Sequence, residues 1–158
     1  MAEERQLVVF KLIHDGQVSE YAVPISNVQE IIPMPEPTRL PQVPDFIEGI
    51  INLRGKIIPI IDLKKRFDLG QTDDIKEKRS IIIDLEGQII GIIVDEVNEV
   101  LRLSEDEIDA PPAAISGITA EYLSGVGKLA ERLLIILDVE KIFNEWEKDA
   151  IKDACISA

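Results

Sequence analysis

Hydrophobic residues along the chain come in short runs separated by turn-forming residues. The clearest runs are four to six residues long and rich in isoleucine, valine and leucine: Leu7–Phe10, Ile57–Ile61, Ser80–Ile83, Ile89–Val94 and Leu133–Leu137. Runs of this length, bounded by Gly, Pro and Asp, are typical of buried strands rather than helices. The pairs Asp15-Gly16 and Glu86-Gly87 stand between apolar segments and predict hairpin turns. The pattern therefore predicts a mainly β protein.

The two halves of the chain resemble each other. Val28–Ile31 recurs as Val97–Val100, and Ile58–Leu63 recurs as Leu134–Val139. Self-similarity over most of a chain indicates an internal duplication. We expect each copy to form a small, curved sheet of roughly five strands, with the polar segment Gln71–Arg79 linking the halves.

Helix is predicted to be a minor component. Pro44–Gly49 and Thr119–Gly125 each predict one or two helical turns ending at a glycine, and Ser104–Glu107 has the spacing of a capping box. From Val139 onward, five apolar residues fall on one helical face: Ile142, Phe143, Trp146, Ala150 and Ile151. This pattern predicts a C-terminal helix that packs back onto the sheets; the alternative is a tail that binds a partner.

Composition narrows the possible functions. The chain has 158 residues, 17 basic and 30 acidic side chains and a formal net charge of −13. His14 and Cys155 are its only histidine and cysteine, so neither a clustered zinc site nor a disulfide within the chain is expected. The acidity disfavours nucleic acid and anionic membrane surfaces as partners. Without a signal peptide or a long apolar run, we expect a cytoplasmic protein without cofactors.

The candidate catalytic groups all have simpler explanations. Asp62 and Asp138 follow apolar strands at equivalent positions of the two repeats, which favours a helix N-cap role over a duplicated nucleophile. Asp84 and His14 lie in predicted turns. Cys155 is too close to the C-terminus for a preorganised nucleophile. We therefore predict no catalytic residue and no enzymatic activity.

One polar motif has a possible binding role. In Gly49–Lys56, Asn52 and Arg54 alternate with apolar neighbours, and on a strand they would point to the same side. One interpretation is an exposed polar face of a hairpin. The other is an arginine at the junction of the two halves, held by a carboxylate such as Glu30 and available to a partner. Residues 38–66 carry a net charge of +3, whereas residues 68–109 carry −9, so the acidity is regional.

Four separated motifs, at residues 49–63, 91–97, 121–127 and 133–143, resemble the CheW family of chemotaxis coupling proteins. The resemblance spans roughly residues 5–145. It implies two tandem five-stranded barrels similar to SH3 or OB barrels, at about 5–70 and 71–140, between which strands can be exchanged. A C-terminal helix and tail would occupy 139–158.

The same resemblance implies a non-enzymatic adaptor that joins the cytoplasmic helical tip of methyl-accepting chemoreceptors to the regulatory domain of the histidine kinase CheA. Such a protein would be a monomer alone and part of a large receptor array. The receptor-binding residues that it implies are Val28, Glu30, Ile31, Gly49, Asn52, Arg54, Val97 and Val100. The implied kinase-binding residues are Ile108, Asp109, Pro111 and Pro112.

Two alternatives belong to other classes of protein. The chain could be a regulatory domain related to that of a CheA kinase, which shares the family's fold. It could also be a ligand-binding barrel or an enzyme, although the sequence shows no polar constellation for either.

Overall fold

A computed structural model describes residues 4–14, 16–69, 78–110 and 123–156. The strands are β1 Glu4–His14, β2 Gln17–Pro24, β3 Val28–Pro33, β4 Ile47–Leu53, β5 Lys56–Asp62, β6 Arg79–Leu85, β7 Gln88–Val94, β8 Glu96–Ser104, β9 Ile108–Asp109, β10 Leu123–Leu129 and β11 Arg132–Leu137. Within the described ranges, the helices are α1 Leu63–Arg66 and α2 Glu145–Ile156, and single 3₁₀ turns lie at Ile25–Asn27, Glu105–Glu107 and Val139–Lys141. The predicted mainly β class with a C-terminal helix is confirmed.

The strands of the part of the chain that the structure describes form two mixed sheets. One has six strands in the order β8-β1-β2-β11-β10-β9, and the other has five in the order β3-β6-β7-β5-β4. Each contains one parallel pair, β2 with β11 and β5 with β7. Without the two-residue strand β9, the two orders become identical when β1, β2, β3, β4 and β5 are matched with β6, β7, β8, β10 and β11. The sheets thus have the topology that the predicted duplication requires.

The two repeats exchange hairpins. The β1–β2 hairpin pairs with β8 and β11, which lie in the second half of the chain, and the β6–β7 hairpin pairs with β3 and β5 of the first half. Strands from both sides of residue 70 therefore enter each sheet. The subdomain limits of about 5–70 and 71–140 stay a prediction. They divide the chain by residue number, whereas each sheet combines strands from both parts of the chain.

The strands β1, β5, β6 and β7 are buried on both faces over most of their length, which explains their unbroken apolar runs. Along β1, Val8, Phe10 and Leu12 belong to a large core shared by both sheets. The alternate residues Leu7 and Val9 belong to a smaller cluster inside the six-stranded sheet. The five-stranded sheet has a matching small cluster of Ile58, Ile60, Ile82 and Ile93. Each sheet thus covers its own small core on one face and shares the central core on the other.

Three short capping predictions are confirmed. Asp62 Oδ1 accepts a hydrogen bond from the Lys64 N–H at 3.0 Å, and Asp138 Oδ1 accepts from the Glu140 N–H at 3.1 Å. These are equivalent N-caps of α1 and of the 3₁₀ turn that begins at Val139. In the capping box, Ser104 N–H donates to Glu107 Oε1 at 3.0 Å.

The predicted helix ends at Gly49 and at Gly125 are wrong. Gly49 lies inside β4, and Gly125 lies inside β10; the part of Thr119–Gly125 before Leu123 falls outside the described residues. At Gly49 the reason is steric rather than a helix end. Backbone hydrogen bonds join Thr38 to Ile50, and a Cβ on Gly49 would come within 2.2 Å of the Thr38 carbonyl oxygen. The glycine therefore lets the backbone at Thr38 pair closely with the edge of β4.

The C-terminal helix begins at Glu145 rather than at Val139. Asn144 caps the N-terminus of this helix. Its Oδ1 accepts a hydrogen bond from the Glu147 N–H at 2.8 Å, and its own N–H donates to Glu147 Oε1 at 2.9 Å. Ile151 is buried in the shared core, so the helix packs back on the sheets as predicted. Trp146, however, is 68% exposed and not part of the packed face.

Candidate functional site

Arg54 lies at the tip of the β4–β5 hairpin and not on a strand. β4 ends at Leu53, and Arg54 and Gly55 both have positive φ, 53° and 86°, which is the geometry of a two-residue hairpin turn. The Asn52 side-chain oxygen accepts a hydrogen bond from the Gly55 N–H at 2.8 Å. The prediction that Asn52 and Arg54 share one strand face is therefore wrong. Asn52 holds the turn that presents Arg54.

Arg54 forms an ion pair with Glu30, as one interpretation of the motif expected. The Arg54 Nη1 to Glu30 Oε2 distance is 2.8 Å, with Arg54 70% and Glu30 29% exposed. The hydrogen bond and the charge of Glu30 raise the pKa of Arg54 above its ordinary value. Glu30 therefore fixes the direction of the guanidinium, while the rest of that group faces solvent and can bind a partner.

The apolar receptor-binding candidates come from both sheets. Val28 on β3 and Val97 on β8 are each partly buried against the shared core. Val100 is 51% exposed further along β8, and Ile31 is 39% exposed. Ile31 neighbours Glu30 on a strand, so their side chains point to opposite faces. Gly49 is buried, and its contact with the Thr38 backbone gives it a structural role.

A polar network holds the β8 segment that carries Val97 and Val100. Arg132 on β11 binds Glu20 on β2 with two hydrogen bonds, of 3.0 and 2.8 Å, and reaches Glu99 at 3.2 Å. Asn98 Nδ2 also donates to Glu20, at 3.1 Å. The Arg132 hydrogen bond lowers the pKa of Glu20 against the opposing effect of burial. The network joins β2, β8 and β11, and the sequence alone did not reveal it.

The kinase-binding candidates are only partly described. Ile108 and Asp109 form β9, at the edge of the six-stranded sheet, and pair with Gly127 and Val126. Ile108 packs on that sheet's small core, whereas Asp109 is exposed and lies 2.9 Å from the Lys128 Nζ. Pro111 and Pro112 lie outside the described residues. An edge strand leaves backbone groups open for pairing with another protein.

Sequence reasoning missed a buried ion pair between Lys64 and Asp95. Their closest N to O distance is 3.4 Å, and the two side chains are 4% and 0% exposed. The available signal was Asp95, an acid that directly follows the apolar run Ile89–Val94. Because Glu96 comes next, the sequence alone favours assigning Asp95 to the acidic region of residues 68–109.

The described residues contain no group of three or more His, Cys, Asp or Glu side chains that could hold a metal ion. Among the helices in the described ranges, none is long and apolar enough to span a bilayer. The described part of the candidate site combines exposed and half-buried aliphatic side chains, an ion-paired arginine and a sheet edge. Aliphatic side chains and an open sheet edge of this kind are typical of scaffold proteins that bind other proteins.

Comparison with known proteins identifies the family. Residues 6–147 match the CheW-like domain, so the chain belongs to the CheW-like family. It is 37% identical over 149 residues to the chemotaxis protein CheW of Treponema pallidum, which covers 92% of this chain and 85% of that protein. It is 39% identical over 128 residues to the CheW of Klebsiella aerogenes, covering 81% and 77%.

A solved structure agrees in fold. The crystal structure of the scaffolding protein TtCheW from Thermoanaerobacter tengcongensis superposes with a TM-score of 0.80 at 38% identity, covering 93% of this chain and 92% of that one. The protein is thus a chemotaxis scaffold and not an enzyme, as the sequence resemblance implied.

Proposed function

We propose that this scaffold couples the cytoplasmic helical tip of methyl-accepting chemoreceptors to the regulatory domain of the histidine kinase CheA, in the cytoplasm. The observation that carries the proposal is the Glu30–Arg54 pair, in which a half-buried carboxylate orients a mostly exposed guanidinium. Branched aliphatic side chains can receive the apolar stripe of a receptor helix, and a fixed charge can set its register.

The receptor-binding residues of this proposal are Val28, Glu30, Asn52, Arg54, Val97 and Val100, with Gly49 supporting them from inside β4. Ile31 also belongs to the proposal, but it lies on the face of β3 opposite to Glu30. Arg54 faces an acidic receptor side chain while Glu30 maintains its orientation. Because only one side of the guanidinium is occupied by Glu30, both contacts can exist together. We expect moderate affinity, since a partly polar patch of this kind is typical of regulatory assemblies.

Isothermal titration calorimetry with a receptor-tip helical hairpin tests this site. Arg54→Glu should weaken binding at least ten-fold without changing the circular dichroism spectrum. Arg5→Glu is the matched control, because Arg5 also forms an exposed pair with a glutamate, Glu105, at 2.9 Å. The charge-swapped variant Glu30→Arg/Arg54→Glu should remain weak, since it restores the ion pair but not the exposed positive charge. Wild-type affinity in Arg54→Glu would exclude Arg54 from the site.

The proposed kinase contact uses the edge formed by Ile108 and Asp109, together with Pro111 and Pro112. Asp109→Lys reverses the exposed charge beside Lys128 without removing a buried contact. We expect it to reduce co-sedimentation with the CheA regulatory domain while receptor-hairpin binding stays unchanged. Equal loss of both interactions would contradict separate receptor and kinase surfaces. The purified scaffold, a monomer when alone, should show no ATP hydrolysis or phosphotransfer.

A further inference from the structure

Asp95 occupies a crossing point between the two sheets. β7 ends at Val94 in the five-stranded sheet, and β8 begins at Glu96 in the six-stranded sheet, so Asp95 is the single residue between them. Its side chain is fully buried. A buried carboxylate is costly unless it is paired and hydrogen-bonded, so its partners indicate why it is kept at this position.

The partners of Asp95 come from both sheets. Its Oδ2 accepts a hydrogen bond from the Ile13 N–H at 2.6 Å, and its own N–H donates to the Lys11 carbonyl at 3.1 Å; both partners are on β1 of the six-stranded sheet. The same Oδ2 lies 3.4 Å from Nζ of Lys64. Lys64 belongs to α1, which follows β5 of the five-stranded sheet directly. The carboxylate therefore ties one sheet to a helix anchored on the other.

The pair is poorly explained as a source of stability. Asp95 Oδ1 is buried and has no hydrogen-bond partner within the described residues. Replacing a buried ion pair by uncharged groups of similar volume is often neutral or stabilising. The shared apolar core also joins the sheets, but the stabilisation it supplies is non-directional and depends mainly on the apolar area buried. The ion pair, by contrast, is satisfied in only one relative placement of the sheets.

We infer that Lys64 and Asp95 are positioning residues that hold the two sheets in one relative placement and thereby align the two parts of the receptor-binding site. This inference rests on the proposed function. Val28, Glu30 and Arg54 are carried by the five-stranded sheet, whereas Val97 follows Asp95 by two residues on the six-stranded sheet. A receptor helix that contacts both parts requires them in register. Without the ion pair, the aligned state becomes one of several populated placements.

The test uses the double variant Lys64→Met/Asp95→Asn of the full chain. It removes both charges and keeps similar volumes, and the amide oxygen of the introduced asparagine can still accept from the Ile13 N–H. Amide residual dipolar couplings report the relative orientation and order of the two sheets. In the wild-type protein, one alignment tensor should fit both sheets. In the double variant, we expect the two sheets to require tensors of different magnitude.

Receptor-hairpin affinity is the second measurement. Apparent affinity falls by the fraction of molecules in the competent state, so a competent fraction of about one tenth weakens binding about ten-fold. The matched control is Lys65→Met/Glu48→Gln, which neutralises a 2.6 Å pair of the neighbouring lysine within the five-stranded sheet and its helix. The control should keep a single tensor and wild-type affinity, because its pair does not connect the sheets.

A double variant with one common tensor and wild-type affinity would overturn the inference. If that variant does not fold, Lys64→Arg and Lys64→Gln provide the same comparison. The arginine should preserve both readouts and the glutamine should lose both, and a folded glutamine variant that matches wild type in both refutes the role. If the wild-type protein itself does not bind the hairpin, the proposed function fails, while the dipolar couplings still test the placement of the sheets.

Discussion

Substituting Gly49 by alanine tests why this position carries glycine. The Cβ of an alanine would lie 2.2 Å from the Thr38 carbonyl oxygen and 2.7 Å from its carbon, and the backbone φ is +151°. The backbone at Thr38 must move, which breaks its two hydrogen bonds with Ile50, of 2.8 and 2.9 Å. At about 1 kcal/mol each, these bonds contribute about 2 kcal/mol. The unusual φ adds about 1–2 kcal/mol.

The expected total is about 3–4 kcal/mol, a large share of a typical stability of about 5–15 kcal/mol. For a chain of this size, the melting temperature should fall by about 6–16 °C in circular dichroism. Gly55→Ala is the matched control, because Gly55 also has positive φ, +86°, but a Cβ there meets nothing within 4 Å. It should cost only the backbone term of about 1–2 kcal/mol. Equal melting temperatures for the two variants would refute the steric explanation.

Four further outcomes are expected. Asp62→Ala removes the N-cap of α1 and should lower the free energy of unfolding in urea by about 0.5–2 kcal/mol; no change would contradict the cap. Trp146→Ala should change stability by less than about 0.5 kcal/mol, and acrylamide should quench the fluorescence of Trp146 efficiently, because the side chain is 68% exposed. The folded-state pKa of Glu20 is lowered from 4.5 chiefly by its hydrogen bond to Arg132, so stability from this group is present above pH 4.5 and is lost as pH falls through the folded pKa. Glu20→Gln should therefore lose less stability than wild type on acidification below pH 4.5, and parallel urea curves would contradict the assignment. A fragment of residues 1–70 should be unfolded by circular dichroism and gain structure on mixing with 71–158, since each sheet takes strands from both fragments; an independently folded fragment would contradict the hairpin exchange.

Helix caps and turn hydrogen bonds were largely predictable, because the groups that form them are two or three residues apart in sequence. An N-cap needs an acceptor beside the first free N–H groups of a helix, so Asp62 and Asp138 could be assigned from position alone. Asp84 is equally local: its carboxylate accepts from the Gly87 N–H at 2.7 Å within the hairpin turn. The predicted helix ends at Gly49 and Gly125 are wrong because the sequence does not distinguish a glycine that ends a helix from a glycine in a strand with a neighbouring segment packed closely against it.

The candidate site was predictable only in part. The Glu30–Arg54 pair was anticipated from the polar positions of one motif, and the structure places its atoms 2.8 Å apart. Its geometry was not, because the sequence does not show that Arg54 leaves the strand for a turn. The exposure of Trp146 was also missed, since an amphipathic pattern identifies a helical face but not how far the neighbouring sheet extends along it.

The class of structure, the duplication and the family could be derived from the sequence alone, because short apolar runs, repeated motifs and turn residues all act over a few positions. Which strands share a sheet is evident only from the three-dimensional structure. Pairing between β2 and β11, or β5 and β7, depends on the mutual fit of segments far apart in the chain. The same holds for Lys64 and Asp95, which stand 31 positions apart and meet only because the chain crosses between sheets at Asp95. A buried charge is tolerated only when the fold places an opposite charge beside it, and the residues next to Asp95 in sequence do not show that this partner is Lys64.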